Sequence, residues 1–414
     1  MMKSPCSKQK GIALILFVIT ALTAVGGAFF IAANKFRNSD IHTDKVTFAA
    51  LAGAKQSLID FSLSYQPAGL AVELGRLPYP DRFLDGDYDG QSDCINYNAP
   101  FDLTLVIGRF PWLREQGACP VHDINFDLTD AAGERLWYAV SPHLVRHQNN
   151  QTFSPNFLDP AVANQWLTLY DENGLVSNRV AFIVFSAGEA LPGQNKNNSA
   201  PANFLDTYNV PGFGVINNFD NDLTFVKAPQ DEDFNDKLIY MTIDEFMPHL
   251  ERRVLSEVRT LLSTFQTTND FYPYPALLGD TNYNCDNLLL AGGAVGGGFI
   301  ATNNAGPNTC PPPVGGGPAT IALGGHLLRW QPYIIYEPRQ DCIDINTAGC
   351  GNRVNGLVLD GATNRDIVLM SPGLYALPST NNRANYLEDA VNIVDDQTYV
   401  TPDPQISNDQ LISQ

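Results

Sequence analysis

The sequence repeats itself over a long period. Leu77-Pro78-Tyr79-Pro80 returns as Tyr272-Pro273-Tyr274-Pro275. Cys94 and Cys119, 25 residues apart, return as Cys285 and Cys310 at the same spacing. Ser186-Ala187-Gly188 returns as Ser371-Pro372-Gly373, and Asn203-Phe204-Leu205-Asp206 as Asn385-Tyr386-Leu387-Glu388. The offsets run 195, 191, 191, 185 and 182. A drift in one direction by small steps is what one ancestral unit leaves after a few deletions. Length alone would allow two or three domains at ~150 residues each; the repeat restricts the 414 residues to two copies of one unit.

What precedes each copy also matches. Ahead of the second, Phe246, Leu250, Val254, Val258, Leu261, Leu262 and Phe265 recur at helical spacing over 243–266. Thr242 and Glu245 make a capping-box pattern at its start, and Pro248 is expected to kink the first turns. Ahead of the first copy, Phe36, Ile41, Val46, Phe48, Leu51, Leu58, Ile59 and Leu63 give helical spacings up to Pro67. Each unit thus reads helix, Pro-Tyr-Pro, cysteine-closed loop, strands. Strands are expected at 103–107, 136–140, 180–185, 238–241, 333–336, 354–359 and 367–370, short runs bounded by Gly, Asn or Pro. Val180 to Phe185 lacks alternation and reads as a central strand covered on both faces. The Asn- and Asp-rich stretch 195–234 reads as a long surface loop, 292–318 as a Gly/Pro-rich loop, and the last dozen residues as frayed.

Charged residues make up only 17% of the chain, and 44 Asp and Glu against 25 Lys and Arg leave a net charge of −19. That balance argues against nucleic acid as a partner. The 33 Gly and 28 Pro favour loops and sheet over a helical bundle.

Residues 11–33 form 23 uncharged, mostly apolar positions, with Lys3, Lys8 and Lys10 before them and Lys35 and Arg37 after. This is long enough for a membrane-spanning helix, which needs ~20 residues, and the basic leader favours an N-terminus in the cytoplasm. A cleaved secretory signal would have an apolar region of about 7–15 residues.

Lys8-Gln9-Lys10-Gly11-Ile12-Ala13-Leu14-Ile15 resembles the processing site of type IV prepilins and type II secretion pseudopilins. The resemblance implies cleavage by a prepilin peptidase between Gly11 and Ile12, methylation of Ile12, and use of the apolar helix as an assembly stem. Leu16 stands at the fifth mature position, where major pilins carry Glu. An unpaired intramembrane carboxylate costs about 2.5–3.5 kcal/mol on insertion scales, and in such filaments it pairs with a neighbour's amine. A subunit with no neighbour above it can dispense with the Glu, and the sequence resembles tip pseudopilins and minor pilins in this respect. Removing the leader shifts the net charge from −19 to −22.

Removing it also takes away Cys6, leaving an even six cysteines. The repeated spacing pairs Cys94 with Cys119 and Cys285 with Cys310, and Cys342 with Cys350 remains as a short loop. Each 25-residue loop would contribute about 3–4 kcal/mol in the chain-entropy picture, and disulfides fit an oxidising periplasm. Asp85, Asp87, Asp89 and Asp93 alternate around Gly90, as in the first part of a calcium loop. The other reading is an Asx-rich turn bonded to its own backbone. His143 and His147 have i,i+4 spacing but sit among turn residues and read as surface histidines. Tyr79, Trp112, Trp137, Tyr138, Trp330 and Tyr333 read as core filling and loop clamps rather than a binding surface. Nucleophile-elbow, zinc-protease and P-loop patterns do not occur.

The expected architecture is therefore α+β: a long N-terminal pilin-type transmembrane helix followed by a duplicated pilin-like head, a helix packed on an antiparallel sheet, twice. The divisions are a leader (1–11), a helix (12–66, transmembrane over 12–33), a first head module (67–242) and a second (243–414). The function this implies is structural and not enzymatic: a minor pilin or pseudopilin that initiates or caps a pilus-like or type II secretion filament. Other pilins, a prepilin peptidase and the inner membrane are the implied partners. No cofactor is required, with calcium at the Asp85–Asp93 turn as the one candidate. The implied location is the inner membrane, single-pass, with the head periplasmic or extruded at a filament tip. The alternative is a membrane-anchored periplasmic enzyme, carbohydrate-binding protein or adhesin.

Overall fold

A computed structural model describes residues 41–65, 73–83, 87–93, 106–113, 128–145, 155, 166–220, 222–278, 298–301, 320–339, 342–343, 357–373, 387, 392, 398–401 and 410–413. Helix α1 is described from 41 to 64. It buries Leu51, Ala54, Leu58, Ile59 and Phe61, a stripe at spacings of three and four.

The first sheet is built on β4 (Gly174–Ser186), a 13-residue strand that serves two sets of neighbours. Its second half pairs antiparallel with β2 (Trp137–Val140) and with β8 (Lys237–Thr242). Beyond β2 lies β1 (Ile107–Arg109). Its first half forms a hairpin with β3 (Leu167–Asp171), and β7 (Thr224–Val226) lies parallel to β3. Val180 to Ser186 is fully buried. Ala181, Phe182 and Val184 face the helices, while Val180, Ile183 and Phe185 face a second apolar cluster with Trp137, Phe204 and Phe225. A strand wet on neither side has no use for polar alternation, which explains its sequence.

Between β4 and β8 the chain makes a hairpin of β5 (Thr207–Val210) and β6 (Gly214–Asn217). The stretch 195–234, expected as loop, thus holds three strands, because Val210, Ile216, Val226 and Phe234 bury a small cluster of their own.

Helix α2 (Ile243–Asn269) follows β8 directly. Thr242 and Glu245 close a capping box, and Asp270 ends the helix in the left-handed conformation. The second half carries β9 (Pro275–Ala276), β10 (Phe299–Ile300), the short helix α3 (Leu327–Trp330), and the sheet β11 (Ile335–Pro338), β14 (Ile367–Ser371), β16 (Gln410–Ser413). Next to it β12 (Leu357–Leu359) forms a hairpin with β13 (Ala362–Arg365), and β15 (Thr398–Tyr399) lies parallel to β12.

The order β11–β14–β16 is the order β2–β4–β8, all antiparallel, and β15 stands to β12 as β7 stands to β3. Individual bonds also occur in pairs. Tyr138 donates its hydroxyl to the Pro78 carbonyl (3.3 Å), and Tyr336 donates to the Pro273 carbonyl (3.0 Å). Asn218 pairs with both backbone groups of Val226 (2.9 and 2.8 Å), and Asn392 does the same to Val400 (3.0 and 2.9 Å). Lys55 of α1 reaches the Tyr240 carbonyl on edge strand β8, and Arg259 of α2 reaches the Ser413 carbonyl on edge strand β16. Gly108 and Gly298 are matched by necessity: a Cβ would lie 2.2 Å from the Asp81 carbonyl oxygen in one half and 1.8 Å from the Ala276 oxygen in the other.

These observations correct the expected architecture. The described part of the chain is rich in short strands and contains three helices, and no helix among the described residues is long and apolar enough to cross a membrane. The apolar run at 12–33, on which the long transmembrane pilin-type helix and the single-pass inner-membrane location rested, lies outside the described residues. Both expectations are withdrawn. Nor does each helix lie on its own sheet alone: one continuous core joins α1, α2 and faces of both sheets. The C-terminus, expected to fray, supplies β16, because Leu411 and Ile412 pack on apolar clusters while the backbone pairs with β14.

The twin tyrosines give a direct test. Burial holds both hydroxyls well above the usual tyrosine range, so each stays neutral and donates. Tyr138→Phe and Tyr336→Phe should each lower unfolding free energy by about 0.5–1.5 kcal/mol. The double variant should lose the sum, since the two bonds share no partner. Urea titration of the four proteins checks this, and a loss in only one variant would break the equivalence.

Candidate functional site

A cleft lies where the described beginning of α1 meets the first sheet. About 520 Å³ is enclosed by Thr43, Asp44 and Thr47 of α1, the 130–132 turn, Ser186 and Gly188 at the end of β4, and Lys237 at the start of β8. Asp44 and Lys237 form an ion pair across it. Asp130 is the organiser: one oxygen accepts from the Ala132 and Glu134 amides (2.9 Å each), the other from the Ser186 hydroxyl (2.7 Å) and the Gly188 amide (3.1 Å). Thr47 accepts from the Ala131 amide (3.2 Å). Two of these bonds brace the turn itself, two tie it to the end of β4, and Thr47 ties it to α1. The hydroxyl of Ser186 is committed as a donor to a carboxylate that three other donors hold, an arrangement suited to fixing the helix and not to activating a nucleophile.

A second constellation surrounds Arg109 on β1. Its guanidinium lies 4.2 Å from the Phe204 ring centre, 4.3 Å from Trp137 and 5.7 Å from Tyr88. It donates to the Arg135 carbonyl and stands 3.6 Å from Glu134. Burial lowers the Arg109 pKa, with Glu134 acting against that, and burial pushes the Tyr88 hydroxyl up to about 12. This aromatic box is filled by the chain's own cation.

A third is a pair of buried carboxyls. Asp206 and Asp236 are 4% and 3% exposed, and each accepts the backbone amide of the other (2.9 and 3.1 Å). Asp206 also holds the Asn235 amide (2.7 Å) and Gln194 (2.8 Å). Asp236 takes Asn218 on the same oxygen that holds the Asp206 amide, and its other oxygen has no hydrogen-bond partner among the described residues. Burial, and then the Asp206 charge, raise Asp236 well above the carboxylate range; burial raises Asp206, offset by its amide bonds. Sequence reading missed both constellations. Asn203-Phe204-Leu205-Asp206 was visible as a repeated tetrapeptide, but nothing in it says that Phe204 stacks on an arginine or that Asp206 is buried.

Among the described residues, those singled out in the sequence do not converge on one site. Gly11, Ile12, Asp85, His147 and Cys94, Cys119, Cys285, Cys310 and Cys350 lie outside the described residues. Cys342 is buried and disulfide-bonded, and Arg339 donates to its sulfur (3.1 Å). Asp89 accepts from the amide and side chain of Gln91, two residues on, and Asp93 holds the Arg82 amide and guanidinium by its carboxylate and carbonyl. The Asp89 bond to the Gln91 amide is an Asx turn, whereas Asp93 reaches back to Arg82. Among the described residues no group of three or more His, Cys, Asp or Glu could hold a metal ion. His143 stacks on Trp166 with ring centres 5.2 Å apart. Tyr79, Trp137, Tyr138, Trp330 and Tyr333 are buried, and Trp112 packs on Gly90. Compared with known protein families, curated proteins and solved structures, the chain matches none.

The carboxyl pair makes a pH prediction. Both folded pKa values are raised above the unfolded ones, so the pair's stabilising contribution is complete below the unfolded value and is lost as pH rises through the folded values. Asp236→Asn removes that loss. The melting temperature of the variant relative to the parent should therefore climb as pH rises from 4 to 8, by about 1–2 °C for each kcal/mol relieved in a chain of this size. A difference that stays flat with pH would show that the pair does not titrate this way.

Proposed function

We propose that the protein is a structural subunit of a pilus-like or type II secretion filament, working by packing against other subunits and not by turning over a substrate. The observation that carries this reading is the start of α1. Ile41, Val46 and Phe48 are 57%, 39% and 47% exposed there, on a helix whose opposite face is fully buried from Ala50 onward. Ile41 and Phe48, two turns apart, share one helix face, and large apolar side chains left in water there mark a contact surface. The Asp130 cleft pins this same helix to the head, so a load on the helix is passed to the sheet. The resemblance of Lys8 to Ile15 to a prepilin processing site adds the prepilin peptidase and other pilin-like subunits as partners.

Two measurements test it. The mature protein isolated from its host should begin at Ile12 and carry an N-methyl group; intact-mass and N-terminal peptide analysis that finds Met1 retained would end this reading. Ile41→Asp combined with Phe48→Asp alters exposed positions, and the fold should lose no more than about 0.5 kcal/mol. The same variant should nonetheless disappear from sheared filament fractions while the parent is recovered in them.

A further inference from the structure

The far end of β4 carries a second exposed apolar surface. The chain turns from β5 to β6 through Pro211-Gly212-Phe213, with the Phe213 amide bonded to the Val210 carbonyl (3.0 Å) and Gly212 at φ 83°. Proline then glycine at the two central positions is what a type II turn requires. The turn holds Phe213 out at 56% exposure. Phe213 is not isolated. Its ring centre is 4.9 Å from that of Tyr170, whose cross-strand partner Leu175 is 53% exposed. It also leans over Gly174, where a Cβ would come within 3.1 Å. Two hairpin tips thus meet in one contiguous apolar patch.

The surroundings are acidic. Asp171 and Glu172 sit in the β3–β4 turn. Asp231, Glu232 and Asp233 form the turn before Phe234, which packs on Tyr208 of β5 (5.7 Å). None of these five carboxylates is in an ion pair among the described residues. Lys227, whose amide bonds the Tyr170 carbonyl, has its ammonium over the Tyr240 ring, 5.8 Å from the centre. A second copy of this acidic chain would bring like charge against like charge.

We infer that the Tyr170–Leu175–Phe213 patch is a docking surface for another protein, through a segment with an apolar centre and a basic rim. It is separate from the α1 face: the cleft residue Ser186 and the tip residue Gly174 stand at opposite ends of β4. The inference does not rest on the filament reading.

The test uses the full-length protein and three labelled synthetic peptides of one length: Lys/Leu amphipathic, Glu/Leu amphipathic, and Lys/Ser. Fluorescence anisotropy should show binding of the Lys/Leu peptide alone. Phe213→Ser with Leu175→Ser should weaken it about tenfold, as loss of an apolar anchor does, while Ile41→Ser with Phe48→Ser leaves it unchanged. Hydrogen exchange should slow over 207–217 on binding. Failure of the Lys/Leu peptide to bind, equal binding of either control peptide, or indifference to the Phe213 and Leu175 changes would overturn the inference. So would concentration-dependent dimerisation abolished by Phe213→Ser, which would assign the patch to a second copy.

Discussion

The fold depends on burying α2 from two sides. It follows β8 of the first sheet without a loop, and Arg179 of β4 grips Asp244 in its first turn through two bonds of 3.0 and 2.8 Å. Phe246 meets Phe182 of β4 edge to face. Farther along, Arg252 bonds Gln410 (2.8 Å) and Arg259 bonds the Ser413 carbonyl, both on β16 of the second sheet. Ile243, Phe246, Met247, Leu250, Val254, Leu255, Val258 and Leu262 are all buried, a band wider than a helix on one sheet needs. Separating the halves would expose one side of that band and half of the continuous core. Removing apolar area from water at ~25 cal/mol per Å² makes such a separation far more costly than parting two surface-docked modules.

Polar contacts then fix what apolar burial leaves loose. The Tyr138 and Tyr336 hydroxyls hold the exits from α1 and α2 at Pro78 and Pro273. The side chains of Asn218 and Asn392 imitate a strand neighbour, giving Val226 and Val400 the donor and acceptor that a short parallel strand lacks at its end. Buried polar groups of this kind contribute little net energy when satisfied but cost heavily when orphaned, so they select one register among several apolar ones.

What could be read from the sequence divides along the same line. The 3.6-residue period of Phe246 to Phe265 and the Thr242/Glu245 cap locate α2, and the unalternating run Val180 to Phe185 locates a doubly covered strand, because each pattern is local. That α2 has two burial faces was latent in its many apolar positions, but which sheet each face meets is a long-range fact. The strands within 195–234 were hidden because β5 and β6 are held by a small cluster whose members, Val210, Ile216, Val226 and Phe234, are scattered among Asn, Asp and Gly. In the acidic stretch 85–93, Asp89 bonds the Gln91 amide and Asp93 bonds the Arg82 amide, contacts that alternating carboxylates do not announce. Arg109, one basic residue among 25 in the sequence, gives no local signal of the aromatic box it fills.

The 13-residue length of β4 connects these parts. Its buried second half carries the core contacts to both helices and ends at Ser186, where Asp130 locks it to α1. Its first half leaves the core, pairs only with β3 among the described strands, and ends in the tip that supports Phe213. The register shifts where β4 passes from one set of partners to the other, between Val180 and Phe182. In the second half the corresponding path is broken into β13 and β14 around Asp366, and the hairpin turns at Asp360 and Gly361 with both residues at positive φ. The two halves therefore differ in the continuity of this strand where they agree in topology.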